Sequence, residues 1–226
     1  MYKFINNGIS NSLSLIENLF YPQFCVSCEK LLPINEPLYC SGCRDSFKLC
    51  IHQNRIDSLS SGNHIDYAFA IYPFDKDLQN CIHHWKYNGF SKLILHLLSP
   101  HKSKILQIIR KLKINYLVPV PLHHVKMRER GFNQALQLAE KISSISGIPI
   151  SNCLRRKKWT KSQTKLNVFD RRKNTNGAFV IKSKLIGGKV LLIDDVVTTG
   201  ATANSCAETL KSSGVEWTGI FTLGIA

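Results

Sequence analysis

Residues 190–202, VLLIDDVVTTGAT, limit what this chain can fold into more than any other stretch. A run of valine, leucine and isoleucine ends in two acids, Asp194 and Asp195. It then passes through Thr198, Thr199, Gly200, Ala201 and Thr202 into the helical pattern ANSCAETLKSSG. Strand, small-residue loop and helix in that order form the unit of an open α/β sheet, where ligands bind at the carboxyl ends of strands. The small loop residues let backbone N–H groups and threonine hydroxyls approach an anion, and the helix adds its N-terminal donors and dipole. Two carboxylates facing that anion would repel it. Turned to a neighbouring sugar, they accept hydrogen bonds from its hydroxyls or help hold Mg²⁺.

The chain after about residue 65 alternates apolar strands with helical stretches, which predicts a parallel sheet with helices on both faces. Strands are expected at residues 67–72, 116–120, 178–181, 190–193 and 219–225, and helices at 78–87, 92–112, 133–146 and 201–213. A polar, serine-rich stretch, DSLSSGNH, marks a boundary near residues 55–65. The chain thus divides into three parts: an amphipathic helix over residues 1–22, a small module over 23–60, and the α/β domain over 61–226. In the first part, Phe4, Ile5, Ile9, Leu13, Ile16, Leu19 and Phe20 recur near helical spacing.

The module carries Cys25, Cys28, Cys40 and Cys43, two CxxC pairs eleven residues apart. Each pair lets a tight turn aim two thiolates at one ion, so the four suit a structural tetrathiolate Zn²⁺ site. About 30 residues bury too little apolar surface to fold alone, so metal is expected to supply stability. Cys50 is a possible competing ligand, whereas Cys81, Cys153 and Cys206 read as small core residues.

Thirty Lys and Arg against 15 Asp and Glu give a net charge of +15, which favours a polyanionic partner. The charge is uneven. Residues 155–173 hold Arg155, Arg156, Lys157, Lys158, Lys161, Lys165, Arg171, Arg172 and Lys173 against a single Asp170, with Trp159 and Phe169 among them. Cations beside stacking rings are what single-strand binders use. A second basic stretch, with Lys126, Arg128 and Arg130 before Gly131, comes after the strand ending in Pro119-Val120-Pro121. It reads as a loop that holds phosphate, with Asn133 and Gln134 opening the next helix and Lys86 a further candidate. No stretch approaches the roughly 18 apolar residues of a membrane span, and the N-terminus lacks a secretory pattern. The expected location is the cytoplasm, where thiols stay reduced.

A strand ending in Asp-Asp also holds Mg²⁺ in P-loop NTPases, but the GxxxxGK[ST] run they need is absent. Residues 190–202 instead resemble the thirteen-residue motif of type I phosphoribosyltransferases, which binds 5-phosphoribosyl-1-pyrophosphate (PRPP). The resemblance implies that Asp194 and Asp195 contact the ribose hydroxyls and that Thr198, Thr199, Gly200, Ala201 and Thr202 wrap the 5-phosphate. The order of four-cysteine ribbon, HHWKYNGF, VPVPLHHVKMRERGFNQALQLA, TKSQTKLNVFDRRKNTNGAF and PRPP motif resembles the ComF family over nearly all of the chain after residue 20. That likeness implies a type I phosphoribosyltransferase-like sheet with an N-terminal zinc ribbon, PRPP with Mg²⁺ as ligand, and handling of incoming single-stranded DNA during natural competence. It also implies a flexible hood near residues 155–173, through which Gln163, Thr164 and Arg171 face the ligand. Two alternatives stay open: an active phosphoribosyltransferase with a nitrogenous acceptor, and a zinc-ribbon adaptor for other DNA-uptake proteins.

Overall fold

The computed structural model describes residues 24–32, 39–46, 59, 64–88, 92–157, 177–183, 185 and 187–226. The helix expected over residues 1–22 lies outside them, as do Cys50 and residues 158–173 of the basic stretch. In chain order the elements are α1 (Ser41–Ser46), β1 (Tyr67–Pro73), α2 (Lys76–Asn88), α3 (Lys92–Leu98), a 3₁₀ turn (Ser99–His101) and α4 (Lys102–Leu112). Then come β2 (Tyr116–Pro119), α5 (His124–Arg130), α6 (Gln134–Ser146), β3 (Leu154–Arg156), β4 (Phe179–Ile181), β5 (Lys189–Val197), α7 (Ala201–Lys211) and β6 (Trp217–Ile225).

Four strands form a parallel sheet in the order β1-β6-β5-β2. Successive side chains of a strand point to opposite faces, and both faces here are apolar. Leu191 and Ile193 of β5, with Phe69, Leu117 and Phe221, face a core built on α2, α3, α4 and α6. Val190 and Leu192, with Ala68, Val118 and Ile220, face a second core that takes in Ala203, Cys206, Ala207 and Leu210 of α7. The expected parallel sheet with helices on both faces is therefore present, and β5 is buried on both faces because helices cover each of them.

Three local readings are corrected. The helix expected over residues 92–112 is broken at Ser99–His101, because Pro100 lacks an N–H and cannot sit inside a helical ladder. The strand expected at 178–181 is not in the parallel sheet. It pairs antiparallel with β3 as a separate ribbon. The basic residues after Pro121 form the seven-residue helix α5 rather than a loop, started by His123 and ended by Gly131 at φ 77°.

The helix α2 joins the cysteine module to the sheet. Leu78, Cys81, Ile82 and Trp85 recur at helical spacing and are buried against the sheet. The Asp75 side chain starts the helix by accepting the Leu78 N–H at 3.0 Å. The cysteine module packs on the same helix, since Cys25, Val26, Leu32 and Tyr39 belong to the same core cluster.

Candidate functional site

The strand β5 outruns its neighbour β2. Pairing with β2 ends at Pro119–Ile193, while pairing with β6 continues through Asp194–Thr222 to Val197–Ile225. The helices that come after β2 and β5, α6 and α7, lie on opposite faces of the sheet. Adjacent strands whose connections leave to opposite faces create a crevice at their carboxyl ends, and Asp194 and Asp195 stand at that crevice. The acids are still within β5, not beyond it.

Backbone amides hold both acids. The Asp195 N–H donates to Asp194 Oδ1 at 2.9 Å, and the Val196 N–H donates to Asp195 Oδ1 at 2.8 Å. Lys86 Nζ, from α2, forms an ion pair with Asp195 Oδ2. Burial, reinforced by the Asp195 charge, pushes the Asp194 carboxyl well above the ordinary carboxylate range. Burial also opposes charge on Asp195, but the Lys86 ammonium outweighs it and holds this carboxyl below its ordinary value. Two adjacent carboxyls, one of them paired with a lysine, offer several acceptor sites to a pair of adjacent hydroxyls.

Beyond the acids, Thr198 is exposed and Thr199 half-buried, and Thr199 Oγ1 accepts the Ala201 N–H at 3.4 Å. Gly200 precedes α7 at φ 78°, a backbone state that a side chain disfavours. Ala201 is buried and Thr202 half-buried in the first turn of α7. The loop thus runs directly into the positive end of an 11-residue helix.

Further cations gather near Lys86, on α5. Arg130 Nη1 donates to Gln134 Oε1 at 3.3 Å, and its guanidinium lies 5.6 Å from the centre of the Tyr87 ring. Asn133 caps α6 through the Ala135 N–H at 3.1 Å, and its own amide donates to Val120 O at 3.1 Å. Burial, then the charges of Arg130, Arg156 and Lys86, pulls the Lys126 ammonium below its usual value. Arg128 and Gly131 are exposed at the end of α5.

Arg156, grouped in the sequence with its basic neighbours, differs from them in burial. It is half-buried on β3 with its guanidinium 5.4 Å from the Phe179 ring centre, and Asp194 is among the charges acting on it. Along β3, Leu154 is buried, Arg155 exposed and Arg156 half-buried, a difference that the residue types Leu-Arg-Arg do not announce. Arg155 and Lys157 are exposed. Lys158, Trp159, Lys161, Lys165 and Arg171 lie outside the described residues, with Gln163 and Thr164.

At the other end of α2, the sulfurs of Cys25, Cys28, Cys40 and Cys43 all lie within 4.8 Å of one another. Cys28 and Cys40 are 3.8 Å apart. Four sulfurs about 2.3 Å from a tetrahedral Zn²⁺ sit about 3.8 Å from each other, so the donor set fits such an ion. Burial works to raise the Cys25 thiol, but N–H groups of Cys28, Cys40 and Ser27 outweigh it and bring it down to about 7. Burial, and contact with Cys28 and Cys40, push Cys43 up to about 12. A bound cation would remove this conflict by stabilising all four thiolates.

No protein-family model matches the chain. Among curated proteins, it is 30% identical to Competence protein F of Haemophilus influenzae, over 87% of this chain and 94% of that protein. The chain belongs to the ComF family. It is also 29% identical to Competence protein ComFC of Bacillus subtilis, over 64% of this chain and 58% of that one. DNA utilization protein YhgH of Escherichia coli is 30% identical over 54% of this chain and 52% of its own. Among solved structures, an adenine phosphoribosyltransferase aligns with a TM-score of 0.40 at 14% identity, covering 62% of this chain and 74% of that one. A purine phosphoribosyltransferase from Pyrococcus horikoshii aligns at 0.38 and 16% identity, covering 57% and 72%. In this ComF chain a parallel sheet with helices on both faces carries the crevice at β5, and a small module beside it carries a cysteine cluster that could hold a metal ion such as Zn²⁺. No helix among the described residues is long and apolar enough to cross a membrane.

Proposed function

We propose that this ComF protein binds PRPP with Mg²⁺ at the β5 crevice and handles incoming single-stranded DNA during natural transformation, with Zn²⁺ as a structural ion in its cysteine module. The observation that carries the ligand reading is the placement of Asp194 and Asp195 at the crevice, immediately before a glycine-started helix. In this reading Asp194 and Asp195 take the ribose hydroxyls. Thr198, Thr199, Gly200, Ala201 and Thr202 take the 5-phosphate, and Arg128, Arg130 and Gly131 lie on the pyrophosphate side. Arg156, on which the Asp194 charge acts, and Lys126, near Arg130 and Lys86, add positive charge to the same region.

The DNA reading is supported by relatives named for competence and DNA utilization. It is supported also by exposed Arg155 and Lys157, which lead into the basic residues 158–173. Cytoplasmic location follows from that task.

The test offers PRPP·Mg²⁺ to the full chain, with and without single-stranded DNA and candidate bases, tracking binding by calorimetry and PRPP by phosphorus NMR. Binding without consumption is the expected result. Release of pyrophosphate with one of the bases would make the protein an active transferase, and absence of PRPP binding would refute the ligand reading.

A further inference from the structure

We propose that Lys86 is a positioning residue of this site: its ammonium holds the Asp195 carboxylate in place at the crevice, and α2, seated on the cysteine module, holds Lys86. The inference rests on the PRPP-binding reading above.

Asp195 is only 9% exposed. A carboxylate that buried keeps its charge and its direction only when both oxygens have partners. Oδ1 has the Val196 N–H at 2.8 Å, and Oδ2 has Lys86. Without Lys86, one oxygen of the inner acid loses its countercharge, and the carboxylate is free to turn from the crevice. A lysine at a surface rarely fixes anything, because its long stem is mobile and exposed pairs contribute little. This one is different because the residue before it is pinned. Trp85 is fully buried and its Nε1 donates to Gln137 Oε1 of α6 at 2.8 Å, while Tyr87 lies against Arg130.

The other end of α2 is held by the cysteine module. Ser27 Oγ donates to Asp77 Oδ1 at 2.6 Å, the Asn80 amide donates to Ser27 O at 3.0 Å, and Tyr39 OH donates to Cys81 Sγ at 3.0 Å. From Asp77 to Lys86 the helix rises about 14 Å at 1.5 Å per residue. One rigid element thus joins the four-thiol cluster to the acid pair.

The test is calorimetry with PRPP·Mg²⁺ on the full, metal-loaded chain at fixed pH and salt, comparing wild type, Lys86→Met, Lys86→Arg, Asp195→Asn and the Lys86→Met/Asp195→Asn double variant. Lys86→Met is expected to weaken binding at least tenfold, with Lys86→Arg within threefold of wild type. Because Lys86 acts through Asp195, Lys86→Met should add nothing in the Asp195→Asn background. Wild-type affinity in Lys86→Met would overturn the proposal. So would a full Lys86→Met effect persisting without the Asp195 charge, which would make Lys86 a direct ligand contact. Should Lys86→Met not fold, Lys86→Gln replaces it: weak binding supports the proposal, and affinity equal to Lys86→Arg overturns it. A wild-type chain that binds no PRPP defeats the underlying reading and this one with it. Normal wild-type binding with an indifferent Lys86 variant defeats only this one.

Discussion

Removing the metal from the four-cysteine cluster is expected to destabilise the whole protein, because the module is part of the main core rather than an appendage. Val26, Leu32 and Tyr39 are 5%, 7% and 7% exposed and pack into the cluster that includes Leu78, Cys81 and Ile82 of α2. Burying side chains of this size contributes about 1.5–3 kcal/mol each, so about 5–9 kcal/mol of contact lies across this seam. Part of it is offset by chain entropy that the module recovers when it opens. If only about 2 kcal/mol reached the body, the melting temperature would fall by about 4–8 °C for a chain of this size. The assay is thermal unfolding with and without a zinc chelator, with metal content measured in parallel and hydrogen exchange tracked over residues 76–88. Cys25→Ser with Cys28→Ser should reproduce the chelated state. A protein purified with no bound metal, or one whose melting and exchange are unchanged by chelation, would refute the reasoning.

Changing Asp194 and Asp195 together to Ala removes the acceptors proposed for the ribose hydroxyls. Charge-assisted hydrogen bonds contribute about 1.5–3 kcal/mol each, so calorimetry should show PRPP·Mg²⁺ binding weakened at least tenfold, and unchanged affinity would remove the motif from the site. Single-stranded DNA binding should weaken with salt, with a log–log slope of about −0.7 per phosphate contact. Replacing Lys157, Lys158 and Lys161 by Ala should flatten that slope by about 2, whereas Trp159→Ala should lower affinity with the slope nearly unchanged; equal curves for all three proteins would count against the basic segment. His101 is buried beside the Tyr72 hydroxyl at 3.1 Å, and burial holds its pKa below the ordinary 6.5. The stability it contributes is therefore present above that pH and lost as pH falls from it towards the lowered native value. The melting temperature should drop between pH 7.5 and 5.5 more in wild type than in His101→Gln, and parallel drops would show that another group titrates.

Local chemistry made a good part of this protein legible in its sequence. The β-branched and leucine run before Asp194 reads as a strand because its side chains favour extended backbone, and Gly200 marks the turn into α7 because φ 78° suits a residue without a side chain. The spacing of Cys25, Cys28, Cys40 and Cys43 foretells sulfurs within 4.8 Å, since each pair needs only one tight turn. Short elements were harder. With seven residues in α5 and three in β3, neither shows enough of a period to be recognised, and so Arg156 was grouped with its neighbours in sequence. The break at Pro100 was readable from the missing N–H, but helical spacing on either side masked it.

What no local pattern could supply is which cation meets which acid. A carboxylate as buried as Asp195 requires a countercharge, but thirty Lys and Arg are available and the sequence ranks none of them. The choice of Lys86 follows from the sheet order β1-β6-β5-β2, which leaves the end of β5 open beside β2, and from the packing of Leu78, Ile82 and Trp85, which sets the rotation of α2 about its axis. Backbone preference acts over a few residues and writes itself into the sequence. The pairing of a buried charge is decided by desolvation across elements far apart in the chain, and only the packed structure brings those elements together.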